Sequence, residues 1–260
     1  MKINMILAFA PAIGMMLGSL ISNFSDWKYS FYLLSILGIT IMIITIFAIP
    51  KIGLTKSNKS STTSIYSCLK QIRNDTKGLA MGFLIGGAIG IMFGYLSESS
   101  FYFLEKHNAS LRTYELTSIG ICIPMFIGGF AIQLCGPTPN QVISFCIRLI
   151  ALSTFALWII NLFNLNIFFS IIFFYLILGA LSSIIPSCLS QILEEYGKYT
   201  GTAASLYGFY YYIITSMFTA TMTALHKLTP EPLLTFFLIS SISFIVAYKI
   251  LITAQHSPTT

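Results

Sequence analysis

Eight apolar stretches, each long enough to cross a lipid bilayer as a helix, follow one another along this chain. A helix needs about 20 apolar residues to span the hydrocarbon core of a membrane. Only 8% of the 260 residues are charged, whereas a soluble domain carries roughly a quarter. The sequence therefore predicts an all-α fold, a polytopic transmembrane helical bundle of about eight helices. The predicted spans are residues 5–24, 30–49, 78–97, 116–134, 142–160, 167–190, 203–224 and 233–252.

One connection between the predicted spans is long and basic. Residues 50–77 hold six lysines and arginines but one acidic residue, Asp75. Positive charges next to membrane spans are typical of cytoplasmic loops. This segment is therefore predicted to be a cytoplasmic linker. Counting spans outward from it places both chain termini in the cytoplasm as well.

The charged and metal-binding residue types argue against several functions. The formal net charge of +6 is spread over loops and forms no broad basic face, so no nucleic-acid partner is expected. The sequence contains no His/Cys cluster with metal-ligand spacing, so no metal or other cofactor is expected. Glu194-Glu195 and His226 invite comparison with CAAX-type intramembrane proteases, but Tyr199 stands where those enzymes have arginine. The chain is therefore not expected to be an enzyme.

Glycines one helical turn apart mark the third predicted span: Gly82, Gly86, Gly90 and Gly94. Small residues at this spacing let helices approach closely in lipid. The pattern is explained by tight packing alone, and it is also compatible with a rocking helix.

Two charged residues lie in or near predicted spans. Arg148 is the only basic residue well inside a span, which makes it a functional candidate. Its long side chain could equally reach the headgroups from two turns away. Glu98 ends the third span, where an interfacial acid is the simpler interpretation.

Three stretches resemble the major facilitator superfamily, specifically its Bcr/CflA-type drug:proton antiporters. Residues 10–20, with Pro11, Gly14 and Gly18, followed by Asp26-Trp27-Lys28, look like the fifth-helix antiporter motif and the turn that opens the sixth helix. Residues 95–101 look like the end of the family's seventh helix. Ile185-Pro186 and residues 201–209 look like the tenth helix and the Gly-x-Ala-x-x-x-x-Gly opening of the eleventh. In the first motif Met15 replaces the usual proline.

This resemblance implies that the eight helices correspond to helices 5–12 of a twelve-helix transporter. Residues 1–49 would be the last two helices of the N-terminal bundle, residues 50–77 the linker, and residues 78–260 a six-helix C-terminal bundle. Four helices would be missing, so the chain is expected to be N-terminally truncated. Its parent would sit in the cytoplasmic (inner) membrane and expel small amphipathic drugs in exchange for protons by alternating access.

The resemblance also implies candidate residues and partners. Residues facing the substrate pathway would include Tyr95, Gln133, Arg148 and Tyr207, with Gly201 and Gly208 as packing positions. No buried acid is expected in this part, so the chain alone is expected to fail as a coupled antiporter. Besides the lipid bilayer, it could need a polypeptide that supplies the missing helices.

Two alternatives to a transporter half with a partner remain open. The chain could be a non-transporting remnant in the membrane. It could also be a complete eight-helix transporter that dimerises, with the glycines from Gly82 to Gly94 as the candidate interface.

Overall fold

The computed structural model describes residues 21, 26, 28–48, 62–121, 123–125, 127–128, 138–163, 165–196 and 200–256. These residues form helices and connecting turns, with no strand among them. The helices are α1 Lys28–Ala48, α2 Thr62–Asn74, α3 Thr76–Ser100, α4 Leu111–Gly120, α5 Pro139–Leu162, α6 Ile167–Glu195, α7 Thr200–Leu228 and α8 Pro232–His256. A π-helical turn, Phe101–Lys106, continues α3. The predicted all-α helical bundle is confirmed.

Local capping chemistry sets where several helices begin. The Asp75 carboxylate accepts a hydrogen bond from the Gly78 amide at 2.8 Å and caps α3. Ser110 caps α4 in the same way through the Thr113 amide. At α5, Pro139 occupies the first turn and Gln141 accepts from the amide of Thr138. Such side chains satisfy amide groups that a helix leaves without internal partners.

Five of the described helices are long and apolar enough to cross a membrane, and they are α1, α3 with its π turn, α5, α6 and α8. The helix α7 has 29 residues, so it has the length, but its tyrosines, serines and threonines make it less apolar. Large apolar side chains such as Leu152 and Phe155 on α5 point outward, 68% and 66% exposed. Outward-facing side chains of this type are expected where the surrounding solvent is lipid.

The helix α3 forms the centre of the bundle. It packs against α6, α7 and α8, and α5 packs against α6 and α8 on the far side. The core contains fully buried residues from several helices, among them Leu84, Phe174, Leu181, Phe236 and Phe244. The helix α1 is exposed along its described length.

Two elements differ from the sequence predictions. The helix α2 lies inside the predicted linker, where only a polar loop was expected. Its Cys68 and Ile72, one turn apart, are buried, while Leu69, Lys70 and Arg73 are exposed. The helix therefore has one apolar face, which packs on α3 and α7. The short periodic pattern was hidden by the surrounding polar residues.

The second difference concerns the fourth predicted span, 116–134. The helix α4 begins five residues earlier, because Ser110 supplies the cap. Residues 123–125 and 127–128 are helical, and residues 129–134 lie outside the described residues. The first predicted span, 5–24, also lies outside them apart from residue 21.

Candidate functional site

The exposed side of α7 carries a stripe of hydroxyl groups. Five hydroxyl-bearing residues follow one another along α7 at intervals of seven, four, three and four positions, so they share one face of the helix. Tyr212 is 59% exposed, and Ser216 and Thr223 are exposed as well. This polar stripe consists of Ser205, Tyr212, Ser216, Thr219 and Thr223.

The serine and threonine hydroxyls of the polar stripe bond to their own helix. Ser216 donates to the Tyr212 carbonyl at 2.9 Å, and Thr223 donates to the Thr219 carbonyl at 3.0 Å. Each oxygen keeps lone pairs that can still accept a hydrogen bond. The stripe can therefore lie in a poorly hydrated setting and still bind a polar group of a ligand.

The opposite side of α7 packs on the glycines of α3 in a regular register. A Cβ added to Gly82 would lie 2.8 Å from the Tyr210 ring, and one at Gly86 would lie 2.8 Å from the Ile214 Cβ. A Cβ at Gly90 would lie 2.6 Å from the Phe218 Cβ, and one at Gly94 would lie 3.5 Å from the Met222 Cβ, an ordinary contact. In each pair the α7 residue is 128 positions later in the sequence. We call these four pairs, each one helical turn from the next, the glycine ladder.

The glycine ladder shows that the two helices run parallel and approach closely within one chain. The residues Gly82 to Gly94 are therefore covered by α7 and by Phe236 of α8. This corrects the idea that they form a dimer interface, because that face is already used inside the bundle.

A fifth pair, Glu98 and His226, continues this register at the end of the ladder. His226 Nδ1 lies 2.9 Å from each carboxylate oxygen of Glu98. The Glu98 side chain is 7% exposed and that of His226 is 43% exposed. The ring of Phe101 lies 4.9 Å from the imidazole, centre to centre.

Glu98 is thus a buried acid, although the sequence suggested an interfacial acid and no buried one. The position of His226 beside Glu98 also separates it from Glu194-Glu195, with which the sequence comparison had grouped it. Glu195 instead pairs with Lys77, at 3.3 Å, at the other end of α3.

Asp75 organises that other end of α3. Its Oδ2 accepts hydrogen bonds from the hydroxyls of Tyr196 and Tyr207, each at 2.9 Å. Burial raises the pKa of the Tyr196 hydroxyl above its ordinary value, so it stays protonated and donates. A Cβ on Gly78 would lie 2.0 Å from the Tyr207 hydroxyl, so this arrangement requires glycine at that position. The cluster joins the linker side of α3 to the segment between α6 and α7.

The residues predicted to face the substrate pathway lie in different environments. Tyr95 and Tyr207 are each 1% exposed. Tyr95 packs against the rings of Phe174 and Phe237 inside the bundle, and Tyr207 binds Asp75. Arg148 is exposed on α5. None of these three side chains belongs to the polar stripe.

The remaining predicted residues are placed as follows. Gln133 and the motif residues Pro11, Gly14 and Gly18 lie outside the described residues. The expected packing role of Gly201 and Gly208 stays a prediction. A Cβ at Gly201 would have no atom within 4 Å, and one at Gly208 would meet only Tyr211 of its own helix, from 3.8 Å. Both glycines lie on open parts of α7.

Residues 3–220 match the sequence profile of the Major Facilitator Superfamily. The chain belongs to this superfamily. It is 28% identical over 254 residues to an uncharacterized transporter of Rickettsia bellii (strain RML369-C), a match that covers 93% of the chain and 63% of the relative. It is 26% identical over 237 residues to an uncharacterized transporter of Rickettsia felis (strain ATCC VR-1525 / URRWXCal2), covering 86% of the chain and 58% of the relative.

The chain spans about three fifths of the length of the curated relatives it matches. No solved structure matches it significantly. This superfamily consists of membrane transporters. In this superfamily, two helix bundles rock about a site near the membrane midplane.

The superfamily member also contains a largely apolar cavity of about 520 Å³. It lies between α5, α6 and residues 124–128, and Val142, Cys146, Gly179 and Ala180 are among its lining residues. Phe145 and Leu176 at its edge are 66% and 39% exposed. Its lining includes no residue of α7, so it is separate from the polar stripe. Among the described residues no group of three or more His, Cys, Asp or Glu side chains could hold a metal ion.

Proposed function

We propose that residues 76–256 form the substrate-facing C-terminal bundle of a proton-coupled exporter of small amphipathic, drug-like compounds. The polar stripe of α7 would line the substrate path. The observation that carries this proposal is the alignment of five hydroxyl-bearing side chains, four exposed and Thr219 half-buried, on one face of a 29-residue helix. The resemblance to Bcr/CflA-type antiporters supports the drug-like substrate class and the exchange for protons.

The position of the polar stripe supports a path rather than a lipid contact. Polar side chains in a membrane helix usually face the bundle interior or a water-filled cavity. In this bundle, however, the stripe faces away from α3, and the other side of α7 is occupied by the glycine ladder. A second bundle facing α7 would convert the stripe into one wall of a cavity. The tyrosine of the stripe offers an aromatic ring and a hydroxyl, which suit an amphipathic ligand.

The other wall would come from an N-terminal bundle. Residues 1–49 would supply two of its helices, and a further polypeptide or a longer form of the chain would supply the rest. The chain would sit in a cytoplasmic membrane with its linker and both termini inside the cell, as the charge distribution favours.

A cysteine-labelling experiment tests whether the polar stripe faces water. Ser216→Cys and Met217→Cys are made in a chain whose native cysteines are replaced by serine. Met217 serves as the control because it is 61% exposed but lies off the stripe. Thiols react as thiolates, which need water. A membrane-impermeant maleimide should therefore label Ser216→Cys several-fold faster, and ethidium should slow that labelling. Equal, ethidium-insensitive rates would contradict the proposed path.

A transport assay tests the activity itself. Everted membrane vesicles that contain the chain together with a polypeptide supplying the missing helices should accumulate ethidium when an inside-acid pH gradient is imposed, and nigericin should abolish the accumulation. Vesicles that contain the chain alone should accumulate no more than empty-vector vesicles, as expected for one polypeptide of a split transporter. The same failure in the vesicles that contain both polypeptides would exclude the proposed exporter and favour the second candidate, a non-transporting membrane protein. Its supporting observation is the uncovered face of α7.

A further inference from the structure

We propose that Glu98 and His226 form a proton-binding site that fixes the last turn of α7 against α3. The two side chains occupy the fifth position of the 128-residue register that begins with the glycine ladder. At the four glycine positions the contact between α3 and α7 depends on shape and is insensitive to pH. At the fifth position the contact depends on charge, because histidine is the side chain that ordinarily gains and loses a proton between pH 5 and 8.

The burial of Glu98 makes the proton necessary for this contact. With His226 protonated, the pair carries one negative and one positive charge, and Nδ1–H donates a charge-assisted hydrogen bond to the carboxylate. With His226 neutral, a carboxylate that is 7% exposed keeps its negative charge without a counter-charge. Leaving a charge buried and unpaired is strongly unfavourable. The end of α7 must then move and admit water, or Glu98 must take up a proton.

The other charged groups at this end do not replace His226 as the partner of Glu98. Lys106, at the end of the π turn, binds Glu231 of the α7–α8 connection and also donates to Asn161 of α5 at 3.0 Å. Lys227, the next residue on α7, and Glu105 of the π turn are exposed. The described residues of α8 that line this region bring no charge.

The other histidine at this end is less suited to sense pH. Burial, together with the positive charge of Lys106, lowers the pKa of His107, so this imidazole stays neutral over a wider range of pH. The proton site is therefore assigned to the Glu98–His226 pair, which the 2.9 Å contact joins, and not to His107.

The site has a direct structural consequence for the polar stripe. Thr223, the last member of the stripe, lies one turn before His226, so movement of this turn changes access to that end of the stripe. The idea that proton binding at this site controls access to the substrate path rests on the proposed function. The site itself is defined by contacts within the bundle and can be tested without transport.

Hydrogen exchange of the purified full chain in nanodiscs tests the proton site. The readout is the last turn of α7, including the Thr229 amide, which bonds to the Leu225 carbonyl at 3.0 Å. After correction for intrinsic rates, we expect exchange there to be about tenfold faster at pH 8 than at pH 5.5, since a charge-assisted hydrogen bond is lost. Peptides covering Tyr210 to Ile214, beside the glycine ladder, should show no such change.

Variants decide which groups are responsible. Glu98→Gln and His226→Gln should each abolish the pH dependence in the last turn of α7. The matched control, Glu231→Gln, breaks the neighbouring ion pair with Lys106 and should retain the pH dependence in the last turn of α7. Absence of pH dependence in the wild-type protein would overturn the proposal, as would its persistence in both Glu98→Gln and His226→Gln. If the last turn of α7 is pH-dependent but no ethidium transport occurs even with the missing helices supplied, this proton site is kept and the proposed exporter is rejected.

Discussion

Replacing Gly86 by alanine should pull α3 and α7 apart at the middle of the glycine ladder. The new Cβ would lie 2.4 Å from the Tyr211 carbonyl oxygen and 2.8 Å from the Ile214 Cβ. Ordinary contacts begin near 3.4 Å, so the backbone of α7 would have to move by 3.4 − 2.4 = 1.0 Å. This movement stretches the 3.0 Å hydrogen bond from Thr215 Oγ1 to the Gly86 carbonyl.

The opposing free-energy terms give a net loss of stability. Overpacking costs about 1–3 kcal/mol, and the weakened hydrogen bond costs about 1 kcal/mol. Alanine returns about 1 kcal/mol through its higher helix propensity. The Gly86→Ala variant should therefore lose about 1–3 kcal/mol of unfolding free energy. Titration with SDS in mixed micelles, followed by circular dichroism, measures this difference.

Two glycines provide controls. Gly87→Ala meets the edge of the Phe244 ring at 2.6 Å, and because a ring can turn, its loss should be smaller, below about 1 kcal/mol. Gly208→Ala meets nothing closer than the Tyr211 hydroxyl at 3.8 Å, so it should be neutral or stabilising by up to about 1 kcal/mol. If Gly86→Ala were as stable as Gly208→Ala, the register of α3 on α7 would be refuted.

Three further variants test the Asp75 end by the same SDS titration. Gly78→Ala should lose at least about 2 kcal/mol, since its Cβ would displace the Tyr207 hydroxyl from Asp75; a smaller loss than in Asp75→Asn would contradict this. Asp75→Asn should lose about 1–2 kcal/mol, because asparagine keeps the helix cap but its amide NH2 cannot accept the two tyrosine hydrogen bonds, and an unchanged midpoint would argue against the cluster. Lys77→Ala should change stability by less than about 0.5 kcal/mol, because its ion pair with Glu195 is partly exposed to solvent, with side chains 32% and 43% exposed. A loss above about 1 kcal/mol would show a stronger role.

Much of the helical organisation follows from local sequence. The predicted spans 78–97, 142–160, 167–190, 203–224 and 233–252 fall within helices of the structure, and 30–49 does so up to residue 48, where the described part of that helix ends. Long apolar runs are a strong signal, because the backbone of a membrane span must satisfy its hydrogen bonds internally. The helix α2 was missed because its apolar face has few residues in a polar segment.

The candidate sites were only partly accessible from sequence. The spacing of the α3 glycines indicated a close helix contact, but nothing local identified α7 as the partner. Glu98 looked like an interfacial acid because its position relative to His226, 128 residues later, depends on folding. Tyr207 was selected through the family resemblance, whereas its bond to Asp75 explains its burial. The stripe of hydroxyls on α7 could have been found from its seven- and four-residue spacing.

The sequence by itself determined that this protein is a membrane-embedded helical bundle and a member of the Major Facilitator Superfamily, because hydropathy and motif order are properties of the chain alone. The tertiary structure decided which helices meet and which charges become buried. These outcomes depend on the register of α3 against α7, and a register between distant segments is fixed by packing rather than by local composition. That register places Glu98 beside His226 and turns the polar stripe of α7 away from α3.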